Sequence, residues 1–582
     1  MAKNLSPEQK IKRSITRLGQ LKALKQPWLP HWQLLGEYIH TRKQSFTAEQ
    51  QKGDFLNREL FDSGAPKANK TMASTLVGML WPPSTKRFEL QPPKKIQGDT
   101  EVKLYYETIT EIVRKALDND KAGLRSSLDE YMLDQGAFGT SGVEVAEHEE
   151  HDVVYRAWSV KEMTIGEGRD GIVDTVYLEL CFPVYRVIQE YGIDNVSKKT
   201  RELFEADKLD EDVRILIAIE PRLDRDLSKL GKMDMKWQSL HIEMDNKHLL
   251  KESGFSELPI KVGRITKLIG EVYGRSPGMD ALPDILEANA IWESITIAIE
   301  KSLDPPLAVL DDGRLGNSDI DTSAGAINVL NVAGRAGDKP IYPIFTIGDI
   351  NPASKLLEQL EASIADHFFI DRLLDFNNET AMTLGEVQTR NKMRHATLGS
   401  LFSRQLKEVY NPVIERTVNI LLKRGKLGLT ADSREAQAKL ANGEEILIIP
   451  EKVRKLIEKG QDVYEIVYFT PAVRIMQAEE SEGIFRSWQF AQALVATHPM
   501  SADVLDEDES IKRFTEISGA PSSIIRSAQK ISEIRAERDK QLKAQVEMEQ
   551  AKAGSEVMRN AGQSGLMPNA NQNQQQKGPV LA

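Results

Sequence analysis

The 582-residue chain contains a single cysteine, Cys181. One thiol can form no internal disulfide and no cysteine-based zinc site, and a reducing cytosol is the expected place of synthesis. No run of about 18 apolar residues occurs, so no transmembrane helix and no membrane partner are expected. The N-terminal cations Lys3, Lys10, Lys12, Arg13 and Arg17 are not followed by the apolar stretch and cleavage site of a signal peptide. Catalytic signatures are missing too. There is no G-x-x-x-x-G-K-[ST] phosphate loop and no G-x-S-x-G elbow. The spaced glycines of Gly166–Gly171 join two strand-like segments instead of opening a helix. His148 and His151 lie three apart in a charged hairpin, unlike H-E-x-x-H, which sets two histidines one helical turn apart around a glutamate. The acidic stretch Asp311, Asp312, Asp319 and Asp321 lacks the spacing and closing glutamate of a calcium loop. His367 and His395 fall within helical patterns as packing or surface residues. No catalytic residue, cofactor or metal is expected.

Positive charge is also in short supply: the formal net charge is −11. A protein that grips DNA neutralises phosphates with a basic surface, and no such excess exists here. Two readings remain: mild acidity that keeps a cytosolic protein soluble, or a protein that handles DNA without holding it. Apolar residues make up 40% and charged residues 28% of the chain, which fits a globular protein with several domains.

What is present is mostly helical pattern with β-rich interruptions, an α+β chain. Residues 7–45 read as helix broken at Pro27 and Pro30, followed by helices at 67–80, 101–117 and 124–133. Strand patterns follow at 142–145, 153–158 and 172–180, with Gly166–Gly171 as a hairpin turn. Residues 182–206 read as a polar helix. Residues 211–272 read as short strands, with a turn at Asp245–Lys247, too broken for a core of their own and expected to pack on something outside themselves, most simply a second copy.

The segment Tyr273-Gly274-Arg275-Ser276-Pro277 then opens a long apolar helix that Pro305-Pro306 stops. Asp280 is the expected cap and Pro283 the expected first-turn proline. Ala281, Ile285, Ala288, Trp292, Ile295 and Ile299 form one stripe, and Leu282, Leu286, Ala290 and Ile297 a second. Two stripes imply cover on two sides, either between neighbours in a ring or at the centre of an ordinary bundle. Strands at 307–310 and 327–332 lead to a helix with Leu357, Leu360, Ile364 and Phe368 on its buried face, and then to a polar loop at 372–382. Thr383 and Glu386 make a capping box for a second helix running to Lys423, roughly 60 Å at 1.5 Å per residue. Pro412 should kink that helix and Gly425 end it. Beyond it come a strand at 445–449, helices at 451–459 and 477–496, a sparsely apolar helix at 505–552, and a Gln-rich tail at 553–582 read as disordered.

Three segments together resemble the podovirus-type portal (head-to-tail connector) family of bacteriophages. They are the Gly/Ala-punctuated helix of Gly64–Leu90 ending in Leu80-Trp81-Pro82, the Tyr273–Leu310 lead-in and helix, and the helix–polar loop–Thr-capped helix of Ala365–Arg424. Their order and spacing agree with the family from about residue 10 to 470. Residues 500–582 agree only in being helical and then Gln-rich.

The resemblance implies a twelve-copy ring of wing, stem, clip and crown parts. The wing would be 1–183 and 306–372, the stem helices 184–210 and 273–305, and the clip 211–272. A tunnel loop at 373–383 would face the channel, 384–504 would be the long helix and crown, and 505–552 a helical barrel. It further implies double-stranded DNA in the channel, and partners in the terminase large subunit, the major capsid and scaffolding proteins and a tail adaptor. The location would be the head–tail junction of the virion, after synthesis in the bacterial cytoplasm. The DNA-facing candidates are Arg372, Asp375, Asn377, Asn378, Glu379 and Arg390; Arg372 has the alternative of a salt bridge to Asp371 or Asp375. Tyr273, Gly274, Arg275, Ser276, Pro305 and Pro306 would be structural. The competing reading is a cytosolic hydrolase or nucleotide-binding enzyme with a small β recognition domain at 211–272, and a third is a monomeric scaffold.

Overall fold

In the computed structural model the described residues are 6–41, 43, 45–47, 53, 59–83, 86–96, 99–225, 231–310, 321, 323–330, 341–343, 351–373, 398–430, 447–459, 463–495, 504–517, 526 and 528–563. They fall into two compact units, Met1–Gln477 and Ala478–Ala582.

The first unit opens with α1 (Pro7–Lys25), capped by Ser6 and Gln9 in a reciprocal capping box, and α2 (Leu29–Tyr38). A 3₁₀ turn at Gln26–Trp28 lets Pro27 and Pro30 pass without ending the helical course. Helices α3 (Gly64–Leu80), α4 (Thr100–Leu117) and α5 (Leu124–Phe138) follow, with strand β1 (Phe88–Gln91) between α3 and α4. Strands β2 (Thr140–His148) and β3 (Asp152–Ser159) form a hairpin, and β9 (Ile260–Arg264) returns to pair with β2, giving the antiparallel order β3-β2-β9. The main core lies between these strands and the helices, around Trp32, Tyr106, Tyr131 and Phe138.

A second antiparallel sheet has the order β4-β5-β6-β7-β8, with β4 (Met163–Glu167), β5 (Val173–Pro183), β6 (Asp212–Pro221), β7 (Trp237–Glu243) and β8 (His248–Phe255). Strand β6 is covered on both faces, which explains its nearly continuous apolar run. Leu216 and Ala218 pack with Leu18 and Leu21 of α1. Val213 and Ile215 pack on the other side with Val184, Val187 and Tyr191. The expectation that 211–272 packs outside itself is therefore met within the chain: β5 lends its edge to β6, and helices cover both faces. The expected single helix at 182–206 is instead α6 (Val184–Tyr191) and α7 (Lys198–Glu205). The break is at Gly192, where φ is +81°. Ser197 caps α7, and its hydroxyl also donates to the buried Glu243 carboxylate at 2.9 Å.

After β9 the chain enters α8 (Pro277–Leu303), then β10 (Leu307–Leu310), β11 (Ile327–Leu330) and β12 (Ile341–Pro343), which form a mixed three-stranded sheet in the order β11-β10-β12. Helix α9 (Asn351–His367) buries Leu357, Leu360 and Ile364, the face its periodicity defines, with Phe368 buried just beyond its end. Phe369, with φ +58°, turns the chain into the short α10 (Ile370–Leu373). The helix described from Leu398 contains a π turn at Leu406–Tyr410 and continues as Asn411–Lys423. The extra residue of the π turn directly precedes Pro412, so the proline is accommodated there rather than by ending the helix. Gly425, at φ +70°, closes the helix as expected; its N–H donates to Leu422 O and that of Lys426 to Leu421 O. Strand β13 (Glu465–Tyr468) pairs with β1 across more than 370 residues of chain.

In the second unit the helix Glu507–Ile517 is followed by Ala528–Gln563. The last helix runs beyond residue 552, where the tail was expected to become disordered. Ala551, Lys552, Ala553, Glu556 and Met558 are good helix formers, a signal outweighed in the sequence reading by the lack of apolar anchors.

Candidate functional site

The lead-in to α8 is the most heavily built joint of the first unit. Tyr273 is 1% exposed and packs edge-on to Trp32, ring centres 5.2 Å apart, with Trp28 at 6.0 Å. Its hydroxyl accepts the Ile165 N–H at 3.3 Å. Gly274 donates its N–H to Thr140 Oγ1 at 2.8 Å. A Cβ at Gly274 would lie 2.5 Å from Gly139 O, and one at Gly139 2.5 Å from Gly274 O. Two backbones touch there, and only glycine permits it. Arg275 forks onto Glu271 at 3.0 and 2.6 Å, lies over the Trp28 ring, and exchanges backbone hydrogen bonds with Thr266. This pairing holds the Glu271 carboxyl below its ordinary range.

Ser276 is the helix cap: its Oγ accepts the Met279 N–H at 3.0 Å and donates to Ala137 O at 2.7 Å. Asp280, the expected cap, lies in the first turn, and Pro283 is inside the helix. Ser276 wins because Pro277 follows it at the first helical position, where proline is pre-set for a helix start. The four residues Tyr273, Gly274, Arg275 and Ser276 are thus brought together. Pro305 and Pro306 sit at the far end of α8, between the Asp304 cap and β10, and share no contact network with them.

Beneath the joint lies a buried charge cluster that sequence reading missed. Arg264 is 1% exposed. Its guanidinium pairs with Glu167 and with Glu408 at 3.0 Å, and donates to Gly171 O at 3.0 Å and Val272 O at 3.3 Å. Its backbone N–H also donates to Glu408 Oε2 at 2.9 Å. Lys267 supplies a second cation to Glu167 at 2.7 Å. Two cations and two carboxylates balance, so the cost of desolvation is offset by complete pairing. Beside it, fully buried Gln405 accepts from the Tyr131 hydroxyl and donates to Arg264 O at 3.3 Å. Glu408 belongs to the π turn, and the Tyr410 hydroxyl of the same turn is buried with no hydrogen-bond partner among the described residues. Arg264 and Glu408 are 144 residues apart, and no local pattern links them.

Helix α8 is buried unevenly. Pro277–Met279, Ala281, Leu282, Ile285, Ala288 and Asn289 are buried. Asn289 Oδ1 accepts the N–H groups of Phe61 and Asp62 at 2.7 and 3.1 Å, tying that segment to the helix midpoint. Asp284 accepts from Ser363 of α9 at 2.6 Å. Beyond Asn289 no residue is buried, and Ile297 and Ile299 are each 44% exposed and Leu303 82%.

Of the expected DNA-facing residues, Arg372 lies in α10, its side chain outside the described atoms; Asp375, Asn377, Asn378, Glu379 and Arg390 lie outside the described residues. His148 and His151 stack at 4.9 Å in the β2–β3 turn. Among the described residues no cluster of three or more His, Cys, Asp or Glu side chains is placed to hold a metal ion. No described helix is long and apolar enough to cross a membrane.

The arrangement around α8 is one of joints and clamps. A model of the family described as bacteriophage head to tail connecting protein matches residues 12–525, and the chain belongs to that family. It is similar to the portal protein of Salmonella phage epsilon15, 25% identical over 562 residues that span 94% of this chain and 95% of that one. It is also similar to the probable portal protein of Bordetella phage BPP-1, 27% identical over 412 residues, 69% of this chain and 73% of that one.

Proposed function

We propose that this chain is the repeating subunit of a phage portal, a ring at the unique capsid vertex through which the genome is packaged, retained and ejected. The near end-to-end match to a named portal protein carries the reading. The thinly covered outer half of α8 supports it, because neighbouring copies in a ring would cover the exposed Ile297, Ile299 and Leu303. The enzyme alternative draws no support from the family match or from the joint around α8.

In this reading twelve copies close the ring. Residues 1–183 and 306–372 form the wing, 184–210 and 273–305 the stem, 211–272 the clip, and 384–504 the long helix and crown. The clip docks the terminase large subunit and later the tail adaptor, and the wing meets the capsid and scaffolding proteins. Residues 373–383 form the tunnel loop. Asn377 and Asn378 offer phosphates hydrogen bonds without ionic grip, while Arg372 and Arg390 supply modest cationic contacts repeated by symmetry. Asp375 and Glu379 keep the loop from clamping the duplex.

End views of the purified protein by electron microscopy, with native mass measurement, test the ring: an annulus with an axial hole is expected, and a persistent single copy would end the reading. Alanine at Arg372, Asn377 and Asn378 together is expected to release packaged DNA from filled heads. Unchanged packaging and retention would remove the valve role alone.

A further inference from the structure

The second unit contains an apolar groove that its described residues leave open. It lies between the C-terminal part of helix Pro471–Val495 and helix Glu507–Ile517, has a volume of about 450 Å³, and is lined by Ile484, Phe485, Trp488, Ile511 and Phe514, with Glu507 at its rim. Ile511 is 65% exposed. The rim carries the acidic Glu507, first of three carboxylates in the opening turn of the second helix; of the others, Asp508 pairs with Arg535 and Glu509 with Lys512 at 3.9 Å.

The following helix, Ala528–Gln563, has the opposite character. Ile531 and Ile534 are partly covered, and Arg535 pairs with Asp508. From Arg535 to Met548 every residue is exposed, including Leu542, Val546 and Met548. The helix from Arg535 onward is about 42 Å long at 1.5 Å per residue. Leu542 and Val546 are one turn apart on one face, flanked by the cations Arg538 and Lys543 and by Asp539. A helix this polar, with its few apolar side chains bare, is not held by its own burial. The Arg535–Asp508 pair shows that its cations suit this acidic first turn, and among the described residues no side chain fills the groove beside it.

We infer that the groove Ile484–Phe514 receives the Leu542–Val546 face of the C-terminal helix from a second copy of this chain, with Arg538 and Lys543 of that copy meeting the acidic rim at Glu507. The contact rests on the ring reading above. It makes each subunit a donor to one neighbour and an acceptor from the other, a heterologous contact of the kind that closes rings.

The test uses full-length chains in a Cys181→Ser background. One chain carries Phe514→Cys, and a differently tagged one carries Leu542→Cys or, as a control about 200° around the helix, Ala544→Cys. A disulfide forms only where Cα atoms come within about 7 Å. In mixed rings, mild oxidation should join the Phe514→Cys chain to the Leu542→Cys chain and leave the Ala544→Cys chain unjoined. Rings that form without this bond, or that join both equally, overturn the inference and leave the ring reading intact. So does a chain carrying both Phe514→Cys and Leu542→Cys that closes the bond on itself. Failure of the parent to form any ring overturns both. As a second readout, Leu542→Asp with Val546→Asp changes side chains that are bare in the lone subunit. Trypsin cleavage at Lys540 and Lys543 within assembled rings should then quicken about tenfold as the docked helix is released. An unchanged cleavage rate overturns the inference.

Discussion

The two halves of α8 carry the same apolar periodicity and meet opposite fates. From Pro277 to Asn289 the stripe is buried, capped by Ser276 and pinned by Asn289. From Ala290 to Leu303 it has no cover deep enough to bury a residue. Periodicity states that a face wants burial; it does not state which molecule supplies it. The inner half belongs to the folding of one chain, and the outer half stays largely exposed, as the proposed ring would require.

Substitutions along and beneath this helix sharpen or break the contrast, read as shifts in chemical unfolding followed by Trp28 and Trp32. Arg264→Ala should cost most, about 3–5 kcal/mol, because Glu167 and Glu408 lose their shared buried partner. Ile285→Ala, in the buried half, should cost about 3 kcal/mol through the cavity it leaves. Ser276→Ala should cost about 1 kcal/mol, the ordinary worth of a helix cap. Ile299→Ser, in the exposed half, should change the stability of the isolated subunit by no more than about 0.5 kcal/mol while lowering the yield of assembled rings. If Ile299→Ser destabilises the lone subunit as much as Ile285→Ala, the halves are equivalent and the contrast fails.

The elements most legible in the sequence were those with strong periodicity or clear punctuation. Leu357, Leu360, Ile364 and Phe368 were the buried set on and just after α9, Gly166–Gly171 was the hairpin, and Gly425 was the terminator. Where two signals competed, local reading chose wrongly: Asp280 and Pro283 make a plausible start, but Ser276 and Pro277 make a better one four residues earlier. The break at Gly192 was hidden because α6 and α7 are both amphipathic and one glycine does not outweigh them. The covering of β6 depends on β5 and on α1, nearly 200 residues upstream, and pairing at that range leaves no local trace. The same holds for Arg264 with Glu408 and for Gly139 against Gly274. Of the candidate site, the Tyr273–Ser276 joint was visible as a motif, but its partners were not.

The double hold of Arg264 on Glu408, through guanidinium and main-chain N–H alike, has a mechanical consequence. It leaves no hinge between the π turn and the end of β9, and the Thr266–Arg275 backbone bridge leaves none between β9 and the root of α8. A displacement of the helix of Leu406–Lys423 would therefore pull on the end of β9 and, through that bridge, on the root of α8.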